Sequence, residues 1–361
     1  MLRYRCRLKL ISIIAALSLI LFGCSTVGPI AISRGRADYN DAINRTDDEQ
    51  LLMAVVRGRY GETSRLLAVT SVTANLRFTA NAGAEAGIGQ GAIYEWSVVP
   101  FRGGLAYEEN PTITYAPVQG EQYLRQLMSP IPLGMVILVV RSSERPADLI
   151  TMLIKRINNL RNPDFLKSEE PDPRFPRLVR LLDAFTEAGL IHWVKDPADE
   201  KGFSVVIHKY APEYSDEVRE FLNLLELPSP VDEGKDIVLS IKFALKSTKG
   251  ADIAIETRST MDLIEILRAS VEVPKEHAEK GFAIHYPPTG LAGKKIRIRT
   301  AEKRPRMASV AVNYSGYWFY IDRSDQRTKK AFGTLRTLSD IIIARTAEQQ
   351  PIPVLTVPVS R

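Results

Sequence analysis

The chain is poor in the residues that form disulfides and thiolate metal sites. Its 361 residues include two cysteines, Cys6 and Cys24, and four histidines. Both cysteines fall in an N-terminal segment that we interpret below as a leader and its cleavage site. With Cys6 removed and Cys24 modified, neither a disulfide nor a thiolate metal site forms. The folded part must therefore be stabilised by packing.

The sequence also lacks the common catalytic signatures. It has no Gly-x-Ser-x-Gly nucleophile motif. The segment Gly290–Lys295 is two residues short of a phosphate-binding P-loop and lacks its Ser or Thr. The glycines of Gly87–Gly91 follow a predicted strand and precede another strand, so no helix N-terminus would face a phosphate. We therefore predict no cofactor and no catalytic role, with a periplasmic hydrolase as the alternative class.

The first 24 residues have the order of a bacterial secretion signal. Basic residues precede a thirteen-residue, mostly apolar run from Leu10 to Phe22, shorter than the about 20 residues that span a bilayer. Gly23 and Cys24 then resemble a lipobox, in which the cysteine is lipidated and becomes the mature N-terminus. Ser25, where an aspartate would signal retention, favours the outer membrane. We predict a lipoprotein held through Cys24 on the periplasmic side; an uncleaved anchor, inner-membrane anchoring and surface exposure are the alternatives.

Removal of residues 1–23 changes the charge balance. The four charges in that segment are all basic, so 44 Lys and Arg face 42 Asp and Glu in the mature chain, a net charge of +2 instead of +6. An exported, nearly neutral chain meets no nucleic acid. We predict membrane lipid as its partner through Cys24, with an envelope protein or a glycan as a further partner.

The periodicities predict an α+β fold, with helices and mostly antiparallel sheets in two or three subdomains. Proline-rich stretches set the boundaries. The predicted segments are a signal peptide at 1–23, a lipidated tether at 24–35, an N-terminal α+β region at 36–165, a small α-β-β-α unit at 166–229 and a C-terminal α+β domain at 230–361. Within the first region we expect helices at 36–59, with a capping box at Thr46–Glu49, and at 146–160.

A long amphipathic strand is predicted at Leu66–Ala84. Small and apolar residues alternate there with Ser, Thr, Asn and Arg. The return strand of this hairpin is expected at Ile93–Val99. A hairpin packed on the protein's own helices explains the pattern. The alternative is an oligomeric, pore-forming or secretion-associated arm, in which several copies together close a membrane-inserted sheet.

Two histidines form a weak candidate metal pair. If the strands around Ile191 and Phe203 pair about residue 200, His192 and His208 lie opposite each other. Two imidazoles supply half of a tetrahedral zinc site, and Asp196 or Glu200 would add an oxygen. Solvated or helix-facing histidines are the commoner arrangement, so no metal is predicted.

A basic segment near residue 300 is a candidate surface for anionic lipid headgroups or glycan phosphates. Lys295, Arg297 and Arg299 alternate, which places them on one strand face. A solvated strand is the alternative. The seven basic residues are Lys294, Lys295, Arg297, Arg299, Lys303, Arg304 and Arg306.

The aromatic run Tyr317–Tyr320 is a candidate platform for sugar rings. Alternate residues of a strand point to opposite faces, so at least half of the run must belong to the core. Trp318 and Tyr320 are then expected on the face opposite Phe319.

Several longer motifs resemble a family of bacterial lipoproteins of uncharacterised function. The resemblance covers most of the mature chain, and it implies an outer-membrane lipoprotein without implying any catalytic residue. The residues that carry it are Tyr39-Asn40, Glu49-Gln50-Leu51-Leu52, Val56-Arg57, Arg59-Tyr60, Asn110-Pro111-Thr112-Ile113-Thr114-Tyr115, Val271-Glu272-Val273-Pro274 with His277, and Gly316-Tyr317-Trp318-Phe319-Tyr320-Ile321-Asp322.

Overall fold

The computed structural model has an α+β fold, as predicted. Cys24, Ile93–Val99 and Lys294 lie outside the described residues, and the predictions made for Cys24 and Lys294 stay predictions. No helix in the described ranges has the length and apolarity that crossing a bilayer requires. The structure describes residues 37–63, 66–84, 101–118, 120–143, 146–162, 172–195, 202–228, 235–244, 252–286, 295–349 and 355–358.

The first helix, α1, spans residues 37–59. It buries one apolar stripe that includes Leu52 and Val56. The capping box predicted at Thr46 is wrong, because the helix already begins nine residues earlier and continues through this position. The Thr46 hydroxyl instead donates to the carbonyl of Ile43 at 2.9 Å, a bond within the helix.

A six-stranded sheet forms the centre of the fold. Its strand order is β4-β3-β8-β7-β6-β5, and every neighbouring pair is antiparallel except β7 and β8. The predicted boundary at 229/230 falls between β6 and β7, which pair directly. The 166–229 segment therefore shares one sheet with the residues before and after it. The strands are β3 Ile154–Ile157, β4 Leu160–Arg161, β5 Ile191–Lys195, β6 Phe203–Ile207, β7 Ile237–Phe243 and β8 Ile253–Thr257.

The helices and this sheet share one hydrophobic core. The rings of Phe185 and Phe221, from α5 and α6, meet edge to face with their centroids 5.6 Å apart. Ser259 caps α7 through a capping box with Asp262. The remaining helices are α2 Glu121–Met128, α3 Leu133–Arg141, α4 Pro146–Leu153, α5 Phe175–Glu187, α6 Ser215–Leu224, α7 Thr260–Ala269, α8 Lys275–Glu279 and α9 Gln326–Gln349, with a 3₁₀ turn at Pro212–Tyr214.

The helix predicted at 146–160 ends early. It stops at Leu153, where β3 begins, and the chain then turns at Asn158. Asn158 has a φ of 49°, a left-handed conformation that asparagine tolerates better than most residues. Its side-chain amide donates to the carbonyl of Leu225 at 2.5 Å and accepts from the backbone N–H of Ala254 at 2.7 Å. These buried bonds fix a turn inside a segment whose apolar residues fit a helical period.

A second sheet packs with α9. Its strands are β9 Arg299–Ala301, β10 Ala308–Tyr314 and β11 Tyr317–Asp322, in the order β10-β11-β9. The turn between β10 and β11 falls at Ser315 and Gly316, as predicted, and both residues have positive φ. The predicted apolar face of α9 is also buried. That face consists of Phe332, Leu335, Leu338 and Ile342.

The third sheet contains the long hairpin, and its strand pairing differs from the predicted pairing. Its strands are β1 Leu66–Ala84, β2 Phe101–Val118 and β12 Leu355–Pro358, in the order β1-β2-β12. The return strand is β2, not Ile93–Val99, and the register runs from Leu66↔Val118 to Ala84↔Phe101. Within the described ranges, neither β1 nor β2 makes an extensive backbone contact with a helix. In the described sheet, β12 is the third strand, and it pairs with β2.

Candidate functional site

An open cleft of about 560 Å³ lies between α1 and the β10–β11 hairpin. Glu49 and Arg57 line it from α1, while Asn313, Trp318 and Arg304 line it from the sheet side. The guanidinium carbon of Arg304 is 5.2 Å from the centroid of the Trp318 ring. Such a cation–π contact contributes about 0.5–1 kcal/mol at an exposed site. The cleft thus combines both signs of charge with one aromatic ring, which suits a polar ligand with a flat apolar side.

The aromatic run of β11 alternates as predicted. Phe319 is completely buried, whereas Trp318 and Tyr320 are half-buried. Phe319 therefore belongs to the core, and Tyr317 is partly buried and packs against it. Because Arg304 already covers one face of the indole of Trp318, a sugar would have to use the other face or displace Arg304. Sugar stacking stays a prediction.

A cluster of aromatic rings surrounds His277, next to this cleft. His277 is 6% exposed, and its Nδ1 lies 2.8 Å from the Tyr60 hydroxyl. The rings of Tyr60 and Tyr317 meet the imidazole edge-on, at centroid distances of 5.6 and 5.0 Å. Burial raises the pKa of Tyr60 to about 12, so its hydroxyl stays protonated at neutral pH. The arrangement fixes α8 against α1 and β11, which is a packing role for the one buried histidine of the described chain.

The tyrosines of this region predict alkaline destabilisation. Burial raises the pKa of Tyr60 and of Tyr286 to about 12, against an ordinary value of 10. The unfolded chain loses these protons near pH 10 while the folded chain keeps them, so stability is present below pH 10 and falls as the pH rises toward 12. Urea unfolding at pH 9 and pH 11.5 should show this loss. The Tyr60→Phe, Tyr286→Phe double variant should lose less than the wild type, and an equal loss would contradict the assignment.

A second polar cluster, which sequence reasoning missed, joins α1 to α7. The Tyr286 hydroxyl donates to Glu265 at 2.7 Å, and Arg268 Nη1 donates to the other oxygen of Glu265 at 2.5 Å. The guanidinium of Arg59 lies 4.7 Å from the centroid of the Tyr286 ring. A Cβ at Gly58 would lie 2.0 Å from the Arg268 Nε atom, so a larger residue where α1 passes this cluster would have to displace the Arg268 side chain. No local sequence pattern links Arg59 to Tyr286 and Glu265, which are far from it in the chain.

Asp47 and Asp48, which lie inside the predicted capping box, bind α9. Arg336 of α9 lies 2.8 Å from Asp47 and 3.4 Å from Asp48, and 3.0 Å from Asp340 of its own helix. The Arg336 side chain is 19% exposed. Burial raises the pKa of Asp48 even though Arg336 opposes the shift. This network therefore links α1 to α9.

The basic segment forms an exposed surface. Lys295, Arg297 and Arg299 are exposed while Ile296 and Ile298 between them are buried, which confirms that the three share one face. Three further members are exposed in the loop before β10. They are Lys303, Arg304 and Arg306. Arg299 lies 3.8 Å from Asp322, an exposed pair that contributes little to stability. The structure is compatible with a cationic surface, and binding of anionic groups stays a prediction.

The histidine pair is close but not in the predicted register. β5 and β6 place His192 opposite Val206, and His208 lies beyond the end of β6. The assumed centre of the hairpin was therefore wrong by one residue. The two imidazole rings still pack edge to face at 4.8 Å, and His208 Nδ1 lies 3.1 Å from Asp236. Within the described ranges, no three metal-binding side chains come together.

The register of the long hairpin defines its two faces. Residues that pair directly in an antiparallel sheet lie on the same face. Arg77 pairs with Glu108 on one face, and Phe78 pairs with Tyr107 on the opposite face. Most polar positions of β1 therefore match polar or glycine positions of β2, and most apolar positions match apolar or glycine ones, with Leu76↔Glu109 and Thr79↔Ala106 as exceptions.

No protein-family model, curated protein or solved structure matches this chain. The family resemblance described above therefore stays a prediction, and function must be argued from the chain itself.

Proposed function

We propose that this protein is a lipid-anchored lipoprotein of the bacterial outer membrane that acts by binding other envelope components rather than by catalysis. The observation that carries the proposal is the β1–β2 hairpin. It leaves long strand edges unpaired within the described sheet. Extended strand edges bind other polypeptides by adding a strand.

The anchoring part of the proposal rests on the sequence. Cys24 follows a basic and an apolar segment in the order of a lipoprotein signal. Two or three acyl chains hold a protein on a membrane essentially permanently, since each buried CH₂ contributes about 0.8 kcal/mol. The Lys295–Arg306 surface would add attraction to anionic headgroups.

Replacing Cys24 with alanine tests the anchor. We expect the Cys24→Ala protein to incorporate no labelled palmitate and to keep its leader, because the acylated sulfur is missing. Cys6→Ala is the matched control, since it removes the other cysteine of the leader and should leave labelling unchanged. Labelling of Cys24→Ala at the wild-type level would contradict the proposal.

Removal of the hairpin tests the binding role. A variant in which a short Gly-Ser turn replaces residues 74–111 keeps the strand pairs around β12 and the whole core. Wild-type protein extracted in mild detergent should carry bound material that this variant lacks, while both should carry the lipid label. Identical purified compositions would contradict the binding role without affecting the anchor.

A further inference from the structure

We infer that the partner of the hairpin is a second copy of this chain, and that several copies join their hairpins edge to edge into one closed ring of strands inserted in the membrane. This inference deepens the proposed function and rests on it, because the Cys24 lipid brings the hairpin to the bilayer.

The free edges of the hairpin are long. β1 is the edge strand of its sheet, and β12 covers the second side of β2 only from Thr112 to Tyr115. Beyond that point, eleven residue pairs from Ala74↔Pro111 to Ala84↔Phe101 have no further strand beside them in the described sheet. Proteins usually protect such edges with charges, above all lysine. β1 has Arg77 as its single charge and no lysine, so its edge is open to pairing.

The length of this free part fits a bilayer. Eleven residues at about 3.3 Å each extend about 36 Å. At a strand tilt of about 45° this projects to about 26 Å, close to the apolar band of about 25 Å of membrane-spanning strands. β12 therefore ends where a membrane-spanning segment would begin.

The two faces of the free part differ in the way that such a segment requires. One face carries a single charge, Glu109, in the third pair from β12, near the expected headgroups. The other face carries the charged pair Arg77↔Glu108, a third charge at Arg102, three asparagine amides and the Thr79 hydroxyl. The first face consists of Ala74, Leu76, Phe78, Ala80, Ala82 and Ala84 with Phe101, Gly103, Leu105, Tyr107, Glu109 and Pro111; the second consists of Asn75, Arg77, Thr79, Asn81 and Gly83 with Arg102, Gly104, Ala106, Glu108 and Asn110.

In lipid, only a closed assembly pairs both strand edges and keeps the polar face away from hydrocarbon. Unpaired backbone groups and a polar face are both unfavourable in hydrocarbon, so one hairpin alone would not insert. The edge of β1 in one copy can pair antiparallel with the edge of β2 in the next, which repeats the pairing inside each hairpin and aligns like faces. Such head-to-tail contacts between different edges close into a ring. The polar faces then enclose water, and the apolar faces contact lipid.

Arginine substitutions on neighbouring positions test the ring. Ala80 lies on the apolar face and Thr79 on the polar face, so Ala80→Arg puts a charge toward lipid and Thr79→Arg puts the same charge toward water. In native membranes treated with an amine-reactive crosslinker, wild-type protein and Thr79→Arg should give a ladder of species larger than a dimer. Ala80→Arg should reduce that ladder at least tenfold. Equal ladders from both variants, or a wild type that crosslinks only as a monomer or to a different protein, would overturn the inference.

Cysteine accessibility provides a second readout that does not depend on assembly yield. Single cysteines at Asn75, Thr79 and Asn81 should react with a membrane-impermeant maleimide, and cysteines at Leu76, Ala80 and Ala82 should react at least tenfold more slowly. Equal reactivity at all six positions would refute membrane insertion. If palmitate labelling is intact in that case, the anchor stands and the ring alone is wrong; if labelling is absent, the proposed function fails first.

Discussion

Replacement of Asn158 by alanine should lower the free energy of unfolding by at least about 3 kcal/mol. The substitution leaves the buried carbonyl of Leu225 and the buried N–H of Ala254 without partners, and each such loss costs about 1–3 kcal/mol. It also forces alanine into a left-handed conformation, which costs a further 1–2 kcal/mol, roughly, if the turn does not relax. Urea unfolding followed by circular dichroism measures the change.

The neighbouring residue provides the control. Asn159 is exposed and its amide donates to Glu226 at the surface. Asn159→Ala should change the free energy of unfolding by about 0.5 kcal/mol or less. Asn158→Gly separates the two causes, because glycine relieves the backbone strain and leaves only the lost hydrogen bonds. If Asn158→Ala and Asn159→Ala have equal effects, the turn does not hold the sheet as described.

The second large effect is expected at Phe319. Phe319→Ala should destabilise the protein by about 3–5 kcal/mol, because the side chain is completely buried and its removal leaves a cavity. Its ring lies 6.1 Å from that of Tyr60 and 6.3 Å from that of Tyr314, so α1 and β10 both lose contacts. Denaturant titration gives the magnitude, and the aromatic circular dichroism signal should change as well.

Tyr320 is the matched aromatic residue on the opposite face of β11. It is half-buried, so Tyr320→Ala should cost about 1 kcal/mol. A larger loss at Tyr320 than at Phe319 would mean that β11 presents the other face to the core. The comparison therefore tests the register of the strand as well as the burial of one ring.

The alternation of apolar and charged residues predicted the buried and exposed positions well where one face is buried. Lys295, Arg297 and Arg299 were placed on one face from their spacing alone, because the intervening isoleucines supply a clear period of two. The helix predicted through 146–160 failed for the opposite reason. Ile154 and Ile157 are three residues apart, a spacing that also fits a helix. The turn depends on the hydrogen bonds that the Asn158 side chain makes with residues far away in the chain.

Contacts between residues that are far apart in the chain could not be predicted from local sequence patterns. Asp47 and Asp48 lie in the segment that was predicted as a capping box, whereas their partner Arg336 is almost three hundred residues away. The return strand of the hairpin was missed because Gly103, Gly104 and Pro111 interrupt the alternation of β2. The histidine prediction failed on a single residue of register, which the sequence of the intervening loop does not encode.

The position of β12 in the chain has a consequence for biogenesis. β1 and β2 come early in the chain, but the strand that completes their sheet follows α9. During synthesis, which proceeds from the N-terminus, the hairpin is made first, and β12 is made only after α9. A chain whose synthesis is incomplete therefore lacks the strand that pairs with β2 at the base of the hairpin.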